Sequence, residues 1–259
     1  MNEVKPVPGF SILTVDDDAA KRYSISRLLE KAGFRTMEAS SGYDALQVAQ
    51  QQQPDLIILD VNLPDISGFD VCRTLKGQAS TSHIPVLQFS ATYQQAEYRV
   101  KGLDAGADAY LPDSVEIPEL IATVRALLRA KQAEERARQL ADQWQATFDA
   151  LGDGVALIDL EGRVIRCNRA LHEMLAVDGA TDLTGRALQS NLPDPMIAAG
   201  GVGLSHPDRL TGRHTAETAC DGHWYRFTID PVTNPQGLSV GAVCVLSDIT
   251  GRKQAEGRL

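Results

Sequence analysis

Three consecutive carboxylates, Asp16, Asp17 and Asp18, directly follow one short apolar run, and a fourth, Asp60, directly follows another, Leu56–Leu59. Carboxylates gathered at one point repel unless a cation neutralises them, and an open cluster of oxygen donors suits a hard ion such as Mg²⁺. Ser90 follows a third apolar run, Val86–Phe89, and would add a hydroxyl donor at the same place. Asp is also a favoured helix N-cap. Capping accounts for acids taken singly; it does not account for their clustering after two separate runs.

The surrounding pattern has the elements needed to bring these groups together. Apolar runs at Phe10–Val15, Leu56–Leu59, Val86–Phe89 and Ala109–Leu111, with a weaker one at Arg35–Ala39, read as strands. Helix-period segments lie between and after them: Ala19–Ala32, Tyr43–Gln52, Phe69–Lys76, Gln94–Ala105 and Pro118–Ala130. Strands that alternate with helices imply βαβ units and a parallel sheet covered on both faces, an α/β fold. In such a sheet the carboxyl ends of the strands share one edge, where ligands bind at the topological switch point. Acids that follow the first and third strands would therefore meet there.

The stretches ILTVDDDAAKR, LIILDVNLPDISGFD, VLQFSAT and GADAYL, in this order and spacing, resemble the receiver domain of response regulators. The resemblance covers residues 10–130 and implies a flavodoxin-like (βα)5 fold. It implies that Asp60 is the nucleophile that accepts a phosphoryl group from a phosphohistidine donor. Asp17 and Asp60 would ligate Mg²⁺, with Asp16 acting through water and the backbone carbonyl of Asn62 supplying a further oxygen. Ser90 would hydrogen-bond a phosphoryl oxygen, and Tyr110 would be the aromatic switch that responds to it. In-line phosphoryl transfer does need a positioned oxyanion, a metal to absorb charge and donors around the equatorial oxygens. One position departs from the pattern. Receivers carry Lys-Pro after the fifth strand, whereas this chain has Asp113-Ser114 with no change in length. The Pro substitution also removes the favourable setting for a cis peptide. On this reading the acids have no neighbouring Lys, and Asp113 either turns to solvent or disfavours the phosphoryl group.

Residues 119–147 contain neither Gly nor Pro and read as one helix. Within it, Ala126, Ala130, Ala133, Ala137, Leu140, Trp144, Thr147 and, just beyond, Leu151 recur alternately four and three residues apart, a heptad seam that can pair two copies. Half of these positions are Ala, so the seam buries little area and a dimer would draw on the neighbouring domain as well. Beyond Phe148 the reading becomes α+β, with strands at Val155–Ile158, Val164–Arg166, His223–Pro231 and Val240–Ser247, a helical stretch at Asn168–Leu175, and loop over residues 190–212. FDALGDGVALIDLEGRVIRCNRALHEMLA and HWYRFTIDPV…GAVCVLSDITGRKQAE resemble the two ends of a PAS domain, which implies an antiparallel sheet and helices around a small pocket. Asp248, Ile249 and Thr250 would pass a signal from the last strand into an exit helix, with Asp248 or Thr250 as its N-cap. The implied organisation is a receiver over residues 8–130, a helical linker over 131–147, a PAS domain over 148–252 and the start of an exit helix over 253–259.

Other features bound the function. Residues 1–130 carry 12 basic and 17 acidic side chains and residues 148–259 carry 10 and 14, so neither half offers the basic face that nucleic acid requires. Cys72, Cys167, Cys220 and Cys244 form no C-x-x-C pair and read as reduced thiols of a cytoplasmic protein. No apolar stretch reaches the length of a membrane span. Cys167 does not stand in the motif of a flavin-adduct domain, and His206, His214 and His223 fall in loop or strand contexts unlike a haem ligand. His172 fits the PAS helix better than a phosphoacceptor helix. No tightly bound PAS cofactor is expected, and its ligand is unknown. The chain shows no ATP-binding boxes of a kinase catalytic domain, which fits a fragment of a sensor histidine kinase; the alternative is a short adaptor. The phosphodonor would be a histidine kinase or phosphotransfer protein, and the assembly a homodimer through linker and PAS. The rival reading is a pseudo-receiver scaffold that is never phosphorylated. A haloacid-dehalogenase-like phosphohydrolase would need an acid where Asn62 stands.

Overall fold

A computed structural model describes residues 9–90, 96–175 and 183–256, with Ser90 and residues 96–99 and 202 described by backbone alone. The chain forms two compact units, Met1–Gln139 and Leu140–Leu259.

In the first unit, strands β1 (Ser11–Val15), β2 (Arg35–Ala39), β3 (Leu56–Leu59), β4 (Val86–Ser90) and β5 (Ala109–Pro112) form a parallel sheet in the order β2-β1-β3-β4-β5. This is the flavodoxin-like order, whose switch point lies between β1 and β3. Helices α1 (Ala19–Lys31), α2 (Gly42–Gln52), α3 (Gly68–Gly77) and α4 (Ala96–Asp104) and the first part of α5 (Ile117–Asp149) complete the unit. The first two residues of the helix expected over 94–105 lie outside the described residues.

The continuous apolar strands follow from burial on both faces. On one face Leu13, Val15, Ile57 and Leu59 pack with Ala45 and Ala49 of α2 and Val71, Cys72 and Leu75 of α3. On the other, Ile12, Leu56, Ile58 and Leu87 pack with Ile25 and Leu29 of α1 and Leu120, Val124 and Leu128 of α5. Each fully buried Leu or Ile contributes roughly 2–3 kcal/mol of transfer free energy. Burial pushes the Cys72 thiol up to about 11, and all four cysteines are free.

The second unit is an antiparallel sheet in the order β7-β6-β10-β9-β8, built from β6 (Gly154–Ile158), β7 (Val164–Cys167), β8 (His214–Cys220), β9 (His223–Thr233) and β10 (Ser239–Asp248). Helices α6 (Arg169–Met174) and α7 (Asp194–Gly200) and several 3-10 turns cover it, and α8 (Thr250–Glu256) follows β10. Leu171, Leu183, Leu188, Met196 and Leu204 pack against Phe227, Ile229 and Leu246 of the sheet.

Two expectations are corrected here. Residues 190–212 are not plain loop: they hold α7 and 3-10 turns at Gly201–Leu204 and Pro207–Arg209. Proline at the first turn starts a helix rather than breaking it, and Met196 supplies the buried side chain that holds α7 down. Strand β8 had no counterpart in the sequence reading. It pairs with β9 alone at the sheet edge, from His214 opposite Ile229 to Cys220 opposite His223.

Candidate functional site

The register of the first sheet places the acids. Val15 pairs with Leu59 across β1 and β3, so Asp16 and Asp60 leave the sheet side by side. The Asp60 amide donates to the Val15 carbonyl at 2.9 Å, and the Asp16 amide to Ala39 at 3.2 Å. Asp16, Asp17 and Asp60 thus bring a carboxylate oxygen each within 4.8 Å of one another; Asp16 and Asp60 are buried and Asp17 is exposed. Asp18 does something different. It caps α1, accepting from the amides of Ala20 at 2.8 Å and Lys21 at 3.3 Å.

The turn after β3 holds Asp60 in place. The Asn62 amide donates to Asp60 Oδ2 at 3.1 Å. Gly68 packs directly on the Asp60 carbonyl, where a Cβ would come within 2.1 Å, so only glycine fits. Asp65 in the same turn accepts from the amides of Gly42 and Tyr43, each at 2.8 Å, and so caps α2 as well. Burial raises the Asp65 carboxyl, but these backbone donors outweigh it and hold it at about 2.

A lysine lies in the cluster, contrary to the expectation drawn from Asp113. Lys21 stands in the first turn of α1, just past its Asp18 cap. Its Nζ is 2.8 Å from Asp16 Oδ2 and 3.6 Å from Asp60 Oδ1. Burial works against the Lys21 charge; the hydrogen bond to Asp16 and the charges of Asp60, Asp16 and Asp113 outweigh it, so the ammonium is held above its usual range. Asp60 shifts upward. Burial is the main cause, and Asp16 adds to it; Lys21 and the Asn62 and Val61 amides only partly offset them. The two shifts differ in balance because the lysine pairs most closely with Asp16.

Three carboxylates and one ammonium leave a formal charge of −2, which a divalent cation would balance. Asp60 Oδ1 is buried and accepts no hydrogen bond. An all-oxygen donor set with one such atom fits Mg²⁺.

Asp113 is partly buried and lines, with Lys21, Ser24, Phe89 and Leu120, a cleft of about 190 Å³. It is neither turned away from the site nor the only charge beside it. Among the described residues every peptide bond is trans. Tyr110 is partly buried on β5 opposite Gln88. Ser90 ends β4 opposite Pro112, and its side chain lies outside the described residues.

Residues 12–125 match the family described as response regulator receiver domain, and residues 148–254 match the PAS fold. The response regulator MprA of Mycobacterium leprae strain TN is 37% identical over 174 residues, which is 67% of this chain and 75% of that protein. The chain belongs to the response-regulator family. MprA of Mycobacterium tuberculosis strain H37Rv is 38% identical over 174 residues, again 67% of this chain and 74% of the relative. A putative response regulator from Chloroflexus aurantiacus is a similar solved structure, with 33% identity and a TM-score of 0.45 over 48% of this chain and 99% of that one. The first unit is a receiver domain of two-component signalling, and a PAS fold follows it, as the two family matches show. Receivers as a class bind Mg²⁺ at such an acidic cluster and take phosphoryl groups from histidine kinases. No helix among the described residues is long and apolar enough to cross a membrane.

In the PAS unit, Asp248 Oδ1 accepts from the Thr250 amide at 2.8 Å and so satisfies the first donor of α8. The Thr250 hydroxyl instead accepts from the Trp224 amide at 2.8 Å, while buried Ile249 donates its amide to the Trp224 carbonyl at 2.7 Å. Hydrogen bonds from Thr250 lower the Asp248 carboxyl, and His223 at 3.3 Å adds to this.

Sequence reasoning missed two further groups. Glu217 on β8 pairs with Arg252 at 2.6 Å and Lys253 at 2.8 Å on α8, and with Arg226 on β9 at 3.1 Å. The Lys253 hydrogen bond leads the effects that bring the Glu217 carboxyl down to about 2. Asn168 is fully buried between β7 and α6. Its Oδ1 accepts from the Val155 and Leu171 amides, and its Nδ2 donates to the Phe148 and Asp153 carbonyls.

Proposed function

We propose that this protein is a phosphoacceptor input module: Asp60 takes a phosphoryl group from a histidine kinase or phosphotransfer protein, and α5 and the PAS unit carry the change to an output. In the transfer a carboxylate oxygen of Asp60 forms the new P–O bond as the P–N bond of the donor phosphohistidine breaks, and the imidazole leaves with the electron pair. Asp60 is held for this role by the Asn62 amide and by its place at the end of β3. Asp16, Asp17, Asp60 and the carbonyl of Asn62 would hold Mg²⁺. That ion would offset the charge that builds on the transferred group. Ser90 is the proposed donor to a phosphoryl oxygen and Tyr110 the proposed responding switch.

The observation that carries this reading is the convergence of Asp16, Asp17 and Asp60 around an Asp60 oxygen with no hydrogen-bond partner. We assign the receiver to residues 8–130, the linker to 131–147, the PAS domain to 148–252 and the exit helix to 253–259, and place the protein in the cytoplasm. The output is a histidine kinase region, reached through Asp248, Ile249 and Thr250. A phosphate-affinity gel of the full chain with acetyl phosphate tests the reading. It predicts a shifted band that needs Mg²⁺ and disappears on brief alkaline treatment. An unshifted band under all conditions would leave the pseudo-receiver scaffold.

A further inference from the structure

We infer that Lys21, on the first helix, supplies the positive charge that contacts the phosphoryl group in this receiver, with Asp113 holding the opposite wall where a receiver lysine would stand. The inference rests on the reading of Asp60 as the phosphoacceptor. The Lys21 ammonium is the one cation among the described residues paired with Asp60. It also pairs with Asp16 and lies 5.4 Å from the ring centre of Phe89, at the end of β4. It therefore stands on the β4 and β5 side of Asp60, and its side chain and Asp113 line the same cleft. The side chain is 23% exposed, so an incoming group can reach it.

The arrangement is a relocation of charge. A cation has moved from the loop after β5 to α1, and an acid has taken its former position. A phosphoryl group on Asp60 adds negative charge beside Asp16 and Asp17, and Lys21 is placed to receive it without crossing the site. Asp113 acts as a positioning residue: from the wall of the shared cleft its charge adds a weaker pull to the hold that Asp16 and Asp60 have on the ammonium. In the test reaction the P–O bond of acetyl phosphate breaks, acetate departs with the electron pair, and an Asp60 oxygen bonds to phosphorus.

The experiment measures the rate of mass gain with acetyl phosphate and Mg²⁺ for the full chain and for Lys21→Gln, Lys21→Arg and the charge-exchanged Lys21→Gln/Asp113→Lys. Thermal melts establish that each variant is folded. Lys21→Gln should label at least tenfold more slowly, Lys21→Arg should retain most of the rate, and the exchanged pair should return to within about threefold of the parent. Labelling of Lys21→Gln at the parental rate would overturn the inference, and so would a slow Lys21→Gln that the exchange does not rescue. If Lys21→Gln does not fold, the exchanged pair decides alone: failure to label it would overturn the inference. A parent that gains no mass at all would instead overturn the phosphoacceptor reading, and the inference with it.

Discussion

At the residue scale, the site is a problem of charge held at the edge of a sheet. Asp16 and Asp60 are buried at strand ends, and their repulsion is offset in part by Lys21. A divalent cation that binds only the folded receiver stabilises it by an amount set by occupancy, about 1.4 kcal/mol at ten times the dissociation constant. Millimolar Mg²⁺ should therefore raise the melting temperature by several degrees, and Asp17→Asn should remove most of that rise; an equal rise in both would count against these ligands. Asp65 gives a second test. Its folded carboxyl titrates at about 2, below the ordinary value near 4, so its contribution is present above pH ~4 and is lost as the pH falls through 2. Asp65→Ala should cost about 1 kcal/mol at neutral pH, the worth of a helix cap, and almost nothing at pH 2. Denaturant unfolding at both pH values measures the difference; a pH-independent cost would show that the cap does not depend on the charge.

At the element scale, the legible parts of the sequence were those that had only one place to go. Strands β1, β3 and β4 are buried on both faces, and their mainly apolar runs announce it, broken only by the buried Thr14 and Gln88. The acids after β1 and β3 were legible for the same reason, since chain order fixes their edge of the sheet. Strand β8 was not legible. HTAETAC is a half-exposed edge strand whose small and polar residues show no strong alternation. Helix α7 hid behind two prolines and a glycine that read as loop composition. Lys21 was missed because its partner Asp60 is far away in sequence, although a lysine one helical turn past three acids was the available signal. Asn168 read only as the start of a helical stretch, yet it caps α6 and its four hydrogen bonds also tie the end of α5 to β6. Asn168→Ala should destabilise the PAS unit by about 3 kcal/mol, because several buried backbone groups lose their partner at once. Loss of less than 1 kcal/mol in denaturant unfolding would contradict that account. Glu217 ties α8 to the sheet in a comparable way, through charges at the surface. Hydrogen exchange of the α8 amides should quicken in Glu217→Gln, and unchanged protection would show that α8 is held by Asp248 and Thr250 alone.

At the scale of the whole molecule, α5 runs without interruption from the receiver into the PAS unit, as the absence of Gly and Pro over 119–147 led us to expect. Its heptad seam is exposed throughout: Leu140 keeps 67% of its surface and Trp144 keeps 49%. Such a seam fits pairing of two copies. Ala133→Glu/Leu140→Glu should shift the mass measured by light scattering from dimer to monomer, and a parent that is monomeric at high concentration would remove the seam from the signalling path. On the proposed function that path begins at Asp60. The most direct test of the account is the intact mass of the full chain after treatment with acetyl phosphate and Mg²⁺, beside Asp60→Asn treated in the same way. The account predicts that the parent gains a single phosphoryl group and Asp60→Asn gains none; equal gain by both proteins, or none by the parent, would contradict it.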